Sequence, residues 1–485
     1  MRTITIDPIT RLEGHGKISI FLDEHGDVEN AYLQIPELRG FEKFSEGRRA
    51  EDMPQITSRI CGVCPVAHHI AAAKALDAAF QVDPPAAAKK LRELLYCGYI
   101  IYDHILHFYF LGGPDFVVGP EAPAAKRNIL GVIEKAGIDV AKDVIKHRAY
   151  GQKITAILGG KATHPVCGLP GGVSKELVKD EVKEIKDMVA SCNTFAKFTL
   201  NLFDDIVLKN KEYVDLICSD PYTLKTYNMG LVDKHNKVNF YDGMIRVSDQ
   251  EANEVEKFDG KDYTQHIAEK VEEWSYMKFP YLKSIGWQGL QDGKKSGIYR
   301  VGPLGRLNAA EGMATPQAEK ECKRMFDTLG GKPVNSTLAF HWARLIELLY
   351  ATERAKELIE DSEITSSHIR NPVGNPGSGI GVVEAARGTL IHDYKLDKNG
   401  LVEKANLIVA TTNNAGAITM SVRDAAKGVI KKGNVNDGLL NKVEMAFRAY
   451  DPCFGCATHT LPGGMPLTVN IYDHKKNLSK TISRV

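Results

Sequence analysis

Apolar and polar positions follow several distinct rhythms along the chain. From Gly16 to Ile35, two alternating runs, Lys17-Ile18-Ser19-Ile20-Phe21-Leu22 and Ala31-Tyr32-Leu33-Gln34-Ile35, flank Glu24-His25-Gly26-Asp27 and predict a β-hairpin closed by a glycine turn. An alanine-rich helical stretch over 68–80 follows, then Pro84-Pro85, then a long helix over 86–111 that is apolar on nearly every face. Such a helix belongs in the interior of a large protein, so Asp103, His104 and His107 on it are interior polar groups that need partners. Further helices are predicted over 175–207, 262–276 and 335–359, the last with Leu338, Trp342, Leu345, Ile346 and Leu349 in a stripe. The segment 228–249 reads as a small irregular β element. Residues 389–396 and 401–409 form a second hairpin across Asp397-Lys398-Asn399-Gly400, delivering Ala410-Thr411-Thr412 at its exit.

These patterns predict a mainly helical α+β fold: a central bundle of long buried helices with peripheral β-hairpins and small sheets. One unit over 1–485 is expected. Within it lie a β-rich region at 1–60, a helical region at 61–225, a β insertion at 226–260, a second helical region at 261–385, a hairpin with a cysteine motif at 386–459, and an extension at 460–485. No internal repeat or low-complexity segment interrupts this order.

Composition narrows the function classes. A chain of 485 residues with 43% hydrophobic content can bury a large core. Its 62 basic and 61 acidic residues leave a formal charge of +1, which gives no overall field for nucleic acid or an anionic membrane. No apolar run reaches the roughly 18 residues of a membrane span, and the first residues lack an apolar signal core, so a soluble cytoplasmic protein is expected. Nine cysteines without a disulfide-like cadence suit a reducing compartment. Cys97, Cys167, Cys192, Cys218 and Cys322 are solitary and read as structural thiols. The glycine-rich run from Gly374 to Gly379 lacks the Lys-Ser or Lys-Thr of a phosphate loop.

The remaining four cysteines form two Cys-x-x-Cys pairs near opposite ends, Cys61 with Cys64 and Cys453 with Cys456. Two residues between cysteines let both sulfurs of a turn face one centre, and two such turns supply four soft anionic donors. By spacing alone, structural zinc, an iron-sulfur cluster or a nickel or iron centre all remain open.

The flanking residues are more specific. Arg59-Ile60-Cys61-Gly62-Val63-Cys64-Pro65-Val66-Ala67-His68 and Asp451-Pro452-Cys453-Phe454-Gly455-Cys456-Ala457-Thr458-His459 match at every fixed position the two metal-binding signatures of the nickel-iron hydrogenase large subunit, Arg-x-Cys-Gly-x-Cys-x-x-x-His and Asp-Pro-Cys-x-x-Cys-x-x-His. Arg11-Leu12-Glu13-Gly14-His15, Arg39-Gly40-Phe41-Glu42, Asp103-His104-Ile105-Leu106-His107, Pro170-Gly171-Gly172-Val173 and Glu384-Ala385-Ala386-Arg387-Gly388 extend the resemblance over essentially the whole chain. The phrase Cys456-Ala457-Thr458-His459-Thr460-Leu461-Pro462-Gly463 resembles the cytoplasmic, viologen-reducing branch found in methanogens, which serves heterodisulfide reductase.

The resemblance implies a catalytic large subunit that cleaves H2 reversibly at a nickel-iron centre whose iron carries carbon monoxide and cyanide. Cys61 and Cys453 would be terminal ligands of nickel, and Cys64 and Cys456 bridging ones. Arg387 would sit over the open metal position and bond one cyanide, with Thr411 donating to the other. Glu13 would be the first proton acceptor, Asp103 and Asp451 would hold Arg387, and His68 would hydrogen-bond a thiolate. Glu42 and His459 would bind a separate Mg2+ or Fe2+, and the extension 460–485 would be removed on maturation. Where the family usually has proline, this chain has Ala386, which loosens the backbone before Arg387. All four motif cysteines would be spent on one centre, so electrons would need a partner to leave through, an iron-sulfur small subunit. No nicotinamide, flavin or deazaflavin site is legible. Two competing readings are a zinc-stabilised tetrathiolate protein and the metal-free quinone-module relative in respiratory complex I, which lacks the four cysteines.

Overall fold

The computed structural model describes residues 2–458, 467–473, 475 and 477–484. Four long helices, Ala86–Leu106, Ile138–Gly159, Lys179–Phe203 and Phe340–Glu360, pack in a ring so that each touches two others. Their composition explains why they lie inside. Every residue from Leu94 through Ile105 is buried, and so is every residue from Phe340 through Glu353. At Gly98 and Gly151 the first two helices come so close that a Cβ on Gly151 would meet the Gly98 carbonyl oxygen at 2.8 Å, so these glycines set the spacing.

The helix Pro65–Ala79 begins directly after Cys64, and its Pro65 suits a first helical turn whose N–H has no intrahelical partner. This helix lies along the strand Ser378–Ala385. Contact is nearly backbone to backbone: a Cβ on Gly379 or Gly381 would come within 2.2 Å of the carbonyl oxygens of Ala75 and Ala71 respectively. Gly379 and Gly381 therefore serve helix–strand packing. The strand continues antiparallel into Gly388–Leu396 and Val402–Ile408.

An N-terminal antiparallel sheet of Arg2–Ile6, Lys17–Leu22 and Val28–Gln34 packs on the helix Ala415–Val429, which in turn packs on Asp437–Arg448. A four-stranded sheet joins Tyr227–Val232, Met244–Ser248 and Glu254–Phe258 with Tyr299–Arg300, the last pairing parallel. Strands Leu467–Tyr472 and Leu478–Arg484 pair with each other near the end of the chain.

Most predicted elements are present with shifted ends. The N-terminal hairpin gains a third strand, and the hairpin at 389–409 gains Ser378–Ala385. The helix expected over 86–111 finishes as a π-turn at His107–Gly112, and the one expected over 175–207 does so at Asp204–Leu208. The helix expected over 262–276 is absent. A single turn, Tyr263–His266, passes into the strand Ile267–Lys270 paired with Phe279–Leu282. Tertiary contacts override the helical pattern there: His266 stacks on Phe258, and Trp274 packs between Tyr32 and Phe279. The region 261–385 is accordingly mixed, with four strands besides its helices. Among the described residues, no helix is long and apolar enough to cross a membrane.

Candidate metal centre

The fold brings its two ends together at the cysteines. Cys61 and Cys64 sit at the entrance of the helix Pro65–Ala79, and Cys453 caps the single helical turn Phe454–Ala457, which contains Cys456 and follows Asp437–Arg448. All four sulfurs are buried and lie within 4.8 Å of one another, the one group of this kind among the described residues. Cys61 Sγ is 3.4 Å from Cys453 Sγ, and Cys64 Sγ is 3.7 Å from Cys456 Sγ. None is in a disulfide. Two backbone N–H groups, those of Val63 and Cys64, point at Cys61 Sγ from 3.2 Å.

Burial pushes the Cys453 and Cys456 thiols well above their ordinary range, and the Cys64 thiol is raised too. Cys61 lies well below it, because against burial its thiolate gathers hydrogen bonds from Cys453, Cys456 and Cys64. Four sulfurs this close cannot all ionise without a compensating cation, so the donor set fits soft metal ions.

The segment carrying Glu13 is pinned to the second turn. Glu13 pairs with Cys453 in a parallel bridge, and its carbonyl accepts from the Phe454 amide at 3.0 Å. Its carboxylate accepts from the Cys453 thiol at 2.8 Å and from the Gly455 N–H at 3.0 Å. Burial and the neighbouring Cys61 push the Glu13 carboxyl above its usual range, although those two hydrogen bonds oppose the shift. Gly14 has φ +85°, and a Cβ there would meet the Gly455 nitrogen at 2.5 Å, so this approach requires glycine.

Arg387 occupies the tip of the hairpin formed by Ser378–Ala385 and Gly388–Leu396. Its guanidinium donates to both oxygens of Asp103, at 3.1 and 3.2 Å, and pairs with Asp451 at 3.0 Å. Burial would weaken the guanidinium's hold on its proton, but Asp103, Asp451 and the adjacent thiolates outweigh that and keep it charged. Burial pushes Asp451 up to about 7 despite Arg387 and Arg344. Together with Cys64, Cys453 and Cys456, Arg387 lines a small enclosed cavity whose other walls include His68, Leu390, Val409 and Thr411. Two donors thus face a mostly apolar chamber beside the sulfurs. The Thr411 oxygen accepts the Cys453 N–H at 3.0 Å, leaving its own O–H to donate. His68 Nδ1 lies 3.1 Å from Nε2 of His392, which Tyr394 contacts in turn at 2.6 Å.

Glu42, on the short helix Phe41–Ser45, accepts the Leu407 N–H at 2.9 Å and shares a small cavity with Cys456 and Thr458. His459 lies outside the described residues, as do 460–466. His104 and His107 are core histidines: His104 Nε2 bonds Glu347 at 3.1 Å, and His107 Nε2 donates to the Arg448 carbonyl at 2.8 Å.

Several contributors escaped the sequence reading. Arg39, visible there only as part of a motif, donates to the carbonyls of Ile60 at 2.6 Å and Gly455 at 3.1 Å, bridging the two cysteine turns. The departure at Ala386 also finds its account: its N–H donates to Tyr99 Oη at 3.1 Å, a bond that proline could not make. No motif marks Tyr99, Arg306 or Arg344 as neighbours of the site: Tyr99 lies one turn before Asp103 on the same helix, and Arg306 and Arg344 come from two further helices.

Comparison with known proteins agrees with this geometry. The family model for nickel-dependent hydrogenase matches residues 39–129 and 143–459, and a HoxL-like model matches 3–38. The chain belongs to the nickel-iron hydrogenase large-subunit family, oxidoreductases acting on H2. It is 48% identical over 99% of both chains to an F420-non-reducing hydrogenase iron-sulfur subunit of Archaeoglobus profundus. It is 39% identical to the NAD-reducing hydrogenase HoxS subunit beta of Cupriavidus necator, over 97% of each chain. Among solved structures, an NAD+-reducing [NiFe]-hydrogenase in the H2-reduced state superposes with a TM-score of 0.88 at 36% identity, covering 95% of this chain and 100% of that one. A zinc-protein reading gains no support from any of these.

Proposed function

We propose that this chain carries the reversible heterolytic cleavage of H2 to protons and electrons at a nickel-iron centre held by Cys61, Cys64, Cys453 and Cys456. The observation that carries the reading is the convergence of four buried sulfurs with a charged guanidinium and the half-buried Glu13 carboxyl at the same place. When bound, the centre supplies electron-accepting atoms at which the H–H bond is polarised. By the resemblance, Cys61 and Cys453 would be its terminal donors and Cys64 and Cys456 its bridging ones, and the four sulfurs lie close enough together to serve one centre.

Around it, Arg387 and Thr411 offer hydrogen bonds to cyanide nitrogens, while Leu390 and Val409 give the apolar wall that suits carbon monoxide. Glu13 takes the proton from Cys453 Sγ and passes it outward, which its raised affinity for protons equips it to do. Asp103 and Asp451 keep Arg387 aimed, and His68, which lines the same chamber as Cys64, would hydrogen-bond a thiolate there. Glu42, close to the segment leading into His459, fits a separate Mg2+ or Fe2+.

Electrons leave to an iron-sulfur small subunit. A groove of about 540 Å3 lined by Phe41, Phe44, Ile56 and Arg59 also contains Arg39, whose guanidinium touches the carbonyls beside both cysteine turns. A partner seated there would be close to the sulfurs. The archaeal relatives, each named as a subunit of an F420-non-reducing hydrogenase, support an assembly of several subunits; a cytoplasmic site and onward transfer of electrons to heterodisulfide reductase rest on the resemblance of the phrase at 456–463 alone. The chain acts as one catalytic unit, and the extension 460–485 is removed once the metals are in place. Intact mass of an active, nickel-loaded preparation tests that last step, since a mass corresponding to all 485 residues rules it out.

Elemental analysis with infrared spectroscopy tests the main reading. Nickel and iron near one each per chain, with cyanide and carbon monoxide bands, are expected. Zinc alone would overturn it.

A further inference from the structure

The position of Arg387 is fixed by backbone contacts as well as by its carboxylate partners. The last pair of the hairpin register joins Ala385 with Gly388, so Ala386 and Arg387 form a two-residue turn pointing at the sulfurs. Each polar backbone group of this turn with a partner is held by a buried side chain from another element. Arg306, on the helix Gly302–Ala309, donates from Nη1 to the Ala385 carbonyl at 2.7 Å and from Nη2 to the Ala386 carbonyl at 3.5 Å. Tyr99 Oη accepts the Ala386 N–H from the opposite side at 3.1 Å. Asn414 Nδ2 donates to the Arg387 carbonyl at 3.3 Å.

Arg306 is itself immobilised. It is fully buried, gives Nε and Nη2 to the two oxygens of Glu347 at 2.6 and 2.7 Å, and gives Nη1 to Glu384 at 2.5 Å. Glu384 also accepts from Thr389 Oγ1 at 2.7 Å and the Leu231 N–H at 2.9 Å, and Glu347 bonds His104. A planar fork of donors suits this pattern, because one rigid group spans two carboxylates and two carbonyls; an ammonium has neither the reach nor the plane. The ion cluster does not touch the cysteines, yet it grips the two residues from which Arg387 extends.

We propose that Arg306 and Tyr99 are positioning residues that set where the Arg387 guanidinium stands relative to the four sulfurs, by clamping the Ala386-Arg387 turn from opposite sides. The inference rests on the role given to Arg387 above. An ångström of drift at a group facing the reacting atoms is enough to cost roughly a hundredfold in rate, so holding the turn is a functional requirement distinct from stability.

The test uses the assembled hydrogenase with Tyr99→Phe, Arg306→Lys and Arg387→Lys, singly and with each of the first two combined with the third. Tyr99→Phe is expected to keep its nickel and iron, to speed amide exchange in the peptide spanning 384–390, and to lower kcat about tenfold with KM for H2 within about twofold. In the Arg387→Lys background, Tyr99→Phe and Arg306→Lys are expected to cause no further loss, because residues acting through one group are not additive. An unchanged kcat in Tyr99→Phe, or an equal fold-loss in both backgrounds, overturns the inference while leaving Arg387's own role intact. Full activity in Arg387→Lys would instead overturn that role, and the inference with it. Should Arg306→Lys fail to assemble, Tyr99→Phe alone decides.

Discussion

Glu13 Oε2 lies 2.8 Å from Cys453 Sγ although 440 positions separate them in the chain. A thiol and a carboxyl at that distance can exchange a proton without rearrangement, and the Gly455 N–H, donating to the same oxygen at 3.0 Å, keeps the carboxyl aimed at the sulfur.

Glu13→Gln keeps the shape and the acceptor for the Gly455 N–H but removes the titrating group. H2 oxidation is expected to fall by about 10²- to 10⁴-fold, the usual worth of a positioned proton acceptor, with nickel and iron content unchanged. Turnover assays beside metal analysis check this, and retention of activity within a few-fold would remove Glu13 from the proton route.

Asp451 gives a pH signature. Its carboxyl is held at about 7 in the fold against an ordinary value near 3.8, so the folded chain binds this proton more tightly than the unfolded one. The group's contribution is therefore fully present below the ordinary value and is lost as pH rises toward 7. Asp451→Asn mimics the protonated form, so in metal-free chain the melting temperature of the variant minus that of the parent should grow between pH 4 and 7.5. A difference that stays flat with pH would contradict the shift.

Gly381→Ala tests the helix–strand contact that aligns the first cysteine turn with Arg387. The added Cβ would lie 2.2 Å from the Ala71 carbonyl and 2.4 Å from the Ala75 nitrogen. Overpacking of this kind costs about 1–3 kcal/mol. Gly377→Ala, where the nearest atom is 3.6 Å away, is the control and should leave the denaturation midpoint close to the parent's.

Thr411→Val removes the oxygen that accepts the buried Cys453 N–H. An unpaired buried amide costs about 1–3 kcal/mol, so faster metal loss to a chelator is expected. Thr411→Ser should restore the parent rate; equal rates in all three would deny the hydroxyl any part.

Much of this was legible in the sequence. Three of the four bundle helices, over 86–111, 175–207 and 335–359, announce themselves through length and apolar patterning, whereas Ile138–Gly159, much of which is exposed, was not anticipated; the cysteines, Glu13, Asp103, Arg387 and Thr411 stand in motifs that match a known family. Physical coupling across distant elements was not legible. Arg39 clasps two turns from opposite ends of the chain, Tyr99 uses an amide that exists because residue 386 is alanine, and Arg306 acts through carbonyls, none of which leaves a local pattern. The helix expected over 262–276 failed for a related reason: aromatic contacts of His266 and Trp274 outweigh the local periodicity.

X-ray absorption at the nickel edge of the purified complex tests the central claim most directly, since it reports which atoms surround the metal. The proposed nickel-iron centre predicts sulfur neighbours from both cysteine turns with an iron scatterer beyond them, and loss of part of the sulfur shell on Cys61→Ser. Nickel surrounded by nitrogen and oxygen, or a sulfur shell unchanged by that substitution, would contradict the account.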